Sequence, residues 1–147
     1  MILDFSYHKD TEVLGTIQLD DRIAKLFAIG WLDGNQNFSK GDVPEEFRVK
    51  LERLTSNQYL TVAVLRGYQP CAFCGYNGFT CTSEPRMGGG LLLIPWMSDY
   101  FVSPDLILHY VLRHQYVPPL SFINAVLALT NVPDANASTL LSDWLLS

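Results

Sequence analysis

Apolar residues recur along this chain with two periods, and the points where one gives way to the other outline its elements. Val13, Ile17 and Leu19 suggest a short edge strand within residues 1–22, closed by Asp20-Asp21. The run from Lys25 to Leu32 is almost wholly apolar and stops at Asp33-Gly34-Asn35, a strong turn signal, so a buried strand fits it better than a helix. Helical spacing then takes over at Phe47, Leu51 and Leu54, which repeat at i, i+4 and i+7. Asp42 is the expected cap of that helix. Pro44, Glu45 and Glu46 follow in its first turn, where a missing N–H is harmless and the helix dipole favours negative charge. Arg48, Lys50 and Arg53 occupy the remaining positions and are expected to form a solvated face.

Tyr59 to Arg66 is rich in β-branched and aliphatic residues and ends at Gly67, which predicts a central strand. Two more strands are expected at Leu91–Pro95 and Tyr100–Val102, joined at Met97-Ser98-Asp99. Ser103-Pro104-Asp105 has the order of cap, first-position proline and first-turn acid, so a helix should open there and run through Leu106, Ile107, Tyr110 and Val111. Pro118-Pro119 stops it and starts another, with Phe122, Val126 and Leu129 on one face. A last amphipathic helix is expected over about residues 138–146, carrying Leu140, Leu141, Trp144 and Leu145. The resulting class is α+β: a small, mainly antiparallel sheet with C-terminal helices, in one globular domain spanning residues 1–147.

Composition narrows the field of functions more than it changes the fold. A chain of 147 residues with 48% hydrophobic and 17% charged residues can bury a core without disulfides. Its net charge of −5 and pI near 5.0 count against a nucleic-acid binder, which needs a basic footprint on phosphates. No apolar stretch approaches the roughly 18 residues of a spanning helix, and the first ten residues lack the pattern of a secretory signal. Three cysteines, an odd number, fit a reducing compartment, and a bacterial-type cytoplasm is expected.

The chemistry-bearing residues fall in two clusters. Cys71-Ala-Phe-Cys74-Gly75 can turn two thiolates toward one point, and about thirty-five residues later His109 and His114 sit on a predicted helix. Five residues is about 140° around an ideal helix, wider than the i, i+4 pairing. His114 lies in the last turn, however, where the helix can loosen before Pro118. The expectation is a structural Zn2+ held by Cys71, Cys74, His109 and His114, clamping the cysteine turn to the histidine-bearing helix. Two readings stand beside it: Cys81 replacing one histidine, and a set of small buried cysteines with capping or core histidines that bind nothing. A closed four-ligand site leaves no position for activating water. No P-loop, dinucleotide fingerprint or Gly-x-Ser-x-Gly is present, so no enzyme is expected.

Gly30-Trp31-Leu32-Asp33, Gly41-Asp42-Val43-Pro44-Glu45-Glu46-Phe47, Arg66-Gly67 leading into the cysteine pair, Ile94-Pro95, and the run from Tyr100 to Phe122 form an ordered set. On these motifs, covering roughly residues 30–126, the chain resembles a family of uncharacterised bacterial proteins. The resemblance implies that the cysteine pair and the histidine pair belong to one recurring unit, and it supplies no activity. Trp96 stands where the family usually has glycine after Ile-Pro. It is expected either to fill the core or to build an apolar surface.

The functional expectation is a zinc-stabilised, non-enzymatic protein-binding module, of the kind that serves as an immunity or inhibitor protein against a cognate toxin. A basic toxin domain is the partner an acidic binder would steer to itself. A zinc-finger-like nucleic-acid or regulatory module is the first alternative, and an enzyme using a pocket lined by Trp31, Tyr68 and Tyr110 is the second.

Overall fold

A computed structural model describes residues 7–19, 21–32, 37–56, 61–62 and 91–129. Among the described residues, five strands form one sheet: β1 (Val13–Gln18), β2 (Ile23–Ala28), β3 (Thr61–Val62), β4 (Leu91–Trp96) and β5 (Asp99–Pro104), in the order β1-β2-β5-β4-β3. Three helices of the described residues accompany them: α1 (Glu45–Ser56), α2 (Ile107–His114) and α3 (Leu120–Leu127). The architecture is α+β, with α2 and α3 following the sheet in sequence.

The sheet is mixed rather than antiparallel throughout. β1 and β2 form a hairpin, β4 pairs antiparallel with both β3 and β5, and β2 joins β5 in parallel at Leu26↔Tyr100, Phe27↔Phe101 and Ala28↔Val102. A parallel junction needs a long crossover, and about seventy residues separate β2 from β5. Propensity along a single strand carries no information about that direction.

β4 and β5 are central, and their apolar run reflects it. Leu91, Leu92, Leu93, Ile94, Phe101 and Val102 are all fully buried, although alternation sends them to opposite faces. One face receives α3: Phe122 meets Phe101 edge-on with ring centres 5.5 Å apart, and Phe47 of α1 meets Phe122 at 6.1 Å. Trp96 stacks on Phe101 at 4.6 Å, and Phe27 approaches both. Buried phenylalanines contribute about 3–5 kcal/mol each against alanine. Trp96 remains only partly buried, so it combines core packing with exposed apolar surface.

Several expected boundaries are corrected. The strand read at residues 25–32 is β2, which ends at Ala28. Gly30 then adopts φ +75, and a Cβ there would stand 3.2 Å from the Ile107 side chain. This turn drives Trp31 inward, where its indole N–H donates to Val102 O at 2.9 Å. Ser103 and Pro104 do not open a helix but end β5, because both pair with β4. α2 instead begins at Ile107 after Leu106, without a side-chain cap. Asp42 lies three residues ahead of α1, whose first turn is closed by Arg48 N–H donating to Pro44 O at 3.1 Å.

The cation face of α1 is more employed than its pattern suggests. Arg48 pairs with Glu52 at 2.7 Å and Glu45 at 3.4 Å, while Lys50 donates to the carbonyls of Leu127 and Leu129 at 2.6 and 2.8 Å. Lys50 therefore caps the C-terminal end of α3, satisfying carbonyls that lack intrahelical partners. The turn expected at residues 33–35, most of the strand at 59–66 and the helix at 138–146 lie outside the described residues. Among the described residues, no helix is long and apolar enough to cross a membrane.

Candidate metal centre at the end of the histidine helix

α2 is buried along five consecutive residues, Ile107 to Val111, so it is an interior helix rather than a surface one. His109 lies in that stretch with 2% of its surface exposed, and His114 closes the last turn half-buried. Gln115 follows in the left-handed region at φ +58, and its N–H and that of Tyr116 both donate to Tyr110 O. A side chain pays a conformational cost there that glycine would avoid. Beyond the cap, residues 39–41 run alongside 115–117: Gly41 N–H donates to Gln115 O and Val117 N–H to Ser39 O, both at 2.9 Å. This bridge sets Lys40 near His114.

Despite their wide spacing in sequence, the two imidazoles meet. Their ring centres are 5.1 Å apart with the planes at 71°. A tetrahedral zinc bonded to two ring nitrogens at about 2.0–2.1 Å would hold the ring centres about 5.2 Å apart. An edge-to-face aromatic contact also spans about 4.5–7 Å, so the separation fits both arrangements. Burial holds His114 below the ordinary histidine pKa, and the Lys40 ammonium pushes it the same way. Both influences favour the neutral ring, the form that binds metals.

Cys71, Cys74 and Cys81 lie outside the described residues. Among the described residues, no group of three or more His, Cys, Asp or Glu side chains could hold a metal ion. A metal on the histidine pair would need further ligands from elsewhere in the chain. The segment that carries the cysteines departs and returns at neighbouring points, because Val62 pairs with Leu91 and Leu91 with Pro104, five residues before His109. Cys71 lies nine positions after Val62, enough chain to span about 30 Å.

A second polar cluster was not legible in the sequence. Asp10 accepts two hydrogen bonds, from Gly30 N–H at 3.0 Å and from Tyr116 O–H at 2.7 Å, tying the N-terminal segment to the β2 exit and to the residue after α2's cap. Tyr116 is fully buried, and burial, followed by the charge of Asp10, raises its phenol far above the usual range. His8 Nδ1 lies 3.1 Å from Glu12 Oε2, and this hydrogen bond lowers the Glu12 carboxyl pKa. The His8 ring stands edge-on to Trp31, and its Nε2 is buried without a hydrogen-bond partner. A general base must reach its substrate's proton, and this nitrogen faces the interior. Neither hydrophobic spacing nor a recognisable motif announces these pairs. His8 and Glu12 stand four apart, but outside a helix that spacing predicts nothing.

A buried, interior histidine helix on a mixed sheet, five-stranded among the described residues, defines an α+β domain that carries an imidazole pair. The chain belongs to the family described as a domain of unknown function (DUF7919), which matches residues 5–127. No curated protein and no solved structure matches it.

Proposed function

We propose that this chain is a zinc-clamped protein-binding domain, with Cys71, Cys74, His109 and His114 as the ligands and an immunity or inhibitor role against a basic toxin domain. The observation that carries the clamp is the imidazole pair, with a ring separation matching two tetrahedral ligands although their sequence positions are poorly placed for it. Burial of His109 supports a structural role. A metal bound there by four protein ligands fastens the β3–β4 segment to α2 and supplies folding energy rather than an activated water.

The binding role draws on the charge of −5 and on where the described acids stand. Asp42, Glu45 and Glu46 are exposed ahead of and within the first turn of α1, with the helix running away beneath them. Such a cluster raises the association rate with a basic partner through electrostatic steering.

Elemental analysis of protein prepared without a metal-affinity tag tests the clamp. About one zinc per chain is expected, falling with Cys71→Ser or His114→Ala together with a loss of several kcal/mol of stability. Less than about 0.2 zinc per chain with both variants as stable as the wild type sinks it. Co-purification from the native host tests the partner: a basic protein released by salt supports the inhibitor reading, and retention on heparin with no protein partner overturns it.

A further inference from the structure

Two of the three non-glycine residues with left-handed backbone among the described residues flank a single hydrogen bond. Thr11 adopts φ +69 next to Asp10, and Gln115 φ +58 next to Tyr116. The bond between them is the 2.7 Å contact in which Tyr116 O–H donates to Asp10 Oδ2. A β-branched threonine is costly in that region, and Gln115 is exposed, so no packing of its side chain offsets the conformation. Strain of this kind persists only where surrounding contacts over-determine it, and it collects at functional sites.

Gln115 stands where the histidine helix opens out. The carbonyl of Tyr110 accepts from the N–H groups of Gln115 and Tyr116, five and six residues on, whereas an α-helix closes at four. A turn of that width brings residues five apart toward one side of the helix, as in a π-bulge. His109 and His114 are five apart, and their ring centres are 5.1 Å from each other. The meeting of the imidazoles thus depends on the wide last turn, and that turn depends on keeping Gln115 left-handed.

In place of the usual glycine, contacts from outside the helix hold this cap. Tyr116 is anchored at its hydroxyl by Asp10, at its ring by Phe38 with centres 5.8 Å apart, and on either side by the bonds from Gly41 N–H to Gln115 O and from Val117 N–H to Ser39 O. Asp10 in turn accepts from Gly30 N–H at 3.0 Å, and Thr11 N–H donates to Ala28 O at 2.7 Å. Both contacts are made at the end of β2, so the anchor rests on the sheet.

From this geometry we infer that Tyr116 and Asp10 are positioning residues of the metal centre: their bond fixes the left-handed cap and, through it, sets His114 against His109. The inference rests on the proposed zinc clamp and deepens it, giving the N-terminal segment, remote in sequence from all four ligands, a part in metal affinity.

Cobalt(II), whose tetrahedral complexes absorb strongly in the visible, is the probe, titrated into the metal-free full-length chain under reducing conditions. The wild type should bind about one equivalent. Tyr116→Phe and Asp10→Ala should each weaken binding about tenfold, the scale of lost outer contacts to metal ligands, and together little more than either alone, since both delete one bond. Gln115→Gly should restore most of the affinity lost in Tyr116→Phe, because glycine keeps the cap without the anchor. Lys50→Met, which acts on the end of α3, separates positioning from general stability and should leave the affinity within about twofold of the wild type. Unchanged affinity in Tyr116→Phe, no recovery with Gln115→Gly, or an equal fall in Lys50→Met overturns this inference and leaves the clamp standing. A wild type that binds no cobalt overturns both.

Discussion

Replacing Tyr116 with phenylalanine removes one oxygen and tests the junction on which the histidine helix rests. The hydroxyl is 2.7 Å from Asp10 Oδ2, inside a residue with 1% of its surface exposed. A hydrogen bond to a charged group contributes about 1.5–3 kcal/mol net. Asp10 keeps its bond from Gly30 and is partly open to solvent, so the carboxylate left behind can recruit water. The cost should therefore fall near the lower end of that range, about 1.5–2 kcal/mol. Ring packing against Phe38, at 5.8 Å between centres, should survive unchanged. Urea unfolding of wild type, Tyr116→Phe, Asp10→Ala and the double variant gives the coupling directly. A coupling of at least about 1 kcal/mol is expected. If Tyr116→Phe costs less than about 0.5 kcal/mol, or if the two substitutions simply add, the buried bond does not tie the N-terminal segment to α2.

Two further outcomes follow from the same kind of contact. Lys50→Met retains the stem but gives up both carbonyl contacts at the end of α3; with the ammonium only part-buried, the loss should be about 1–2 kcal/mol, and amide exchange should rise first at Leu127–Leu129. In metal-free protein, Lys40→Gln should move the His114 titration, followed by NMR, up toward the ordinary value; burial should keep it below. A histidine held low binds fewer protons than in the unfolded chain, so its linked stability is present above the unfolded pKa and declines as the pH falls below it. Lys40→Gln should shrink that decline, and an unmoved titration would remove Lys40 as a cause.

Much of the architecture could be read from residue order. The buried runs of β4 and β5 and the helical spacing of α1 and α3 each report a single element's own surroundings, whereas β2, read as a buried strand, alternates, with Ile23 and Lys25 exposed. What failed were features decided between elements. Ser103-Pro104-Asp105 has the composition of a helix start, yet pairing with Leu91 and Leu92 holds its first two residues in the sheet. Lys50 reads as one solvated cation among three, because nothing local says that α3 ends above it. The histidine pair, by contrast, was legible: the place of His114 in the last turn offset the wide angular spacing, and the two rings do meet. Asp10, in a segment without periodicity, gave no sign of its two bonds.

The parallel seam between β2 and β5 also sets an order of assembly. Both hairpins that flank it close short loops, whereas the seam must bring together residues more than seventy apart, including Leu26 with Tyr100. The entropy of a large loop is lost before its contacts repay it. Everything between the two strands, α1 and the cysteine segment included, is enclosed when the seam zips. On the proposed ligand set, Cys71 and Cys74 lie within that loop and the histidines just beyond it. A metal ion would then act as a latch thrown after the door has shut, slowing unfolding more than it speeds folding.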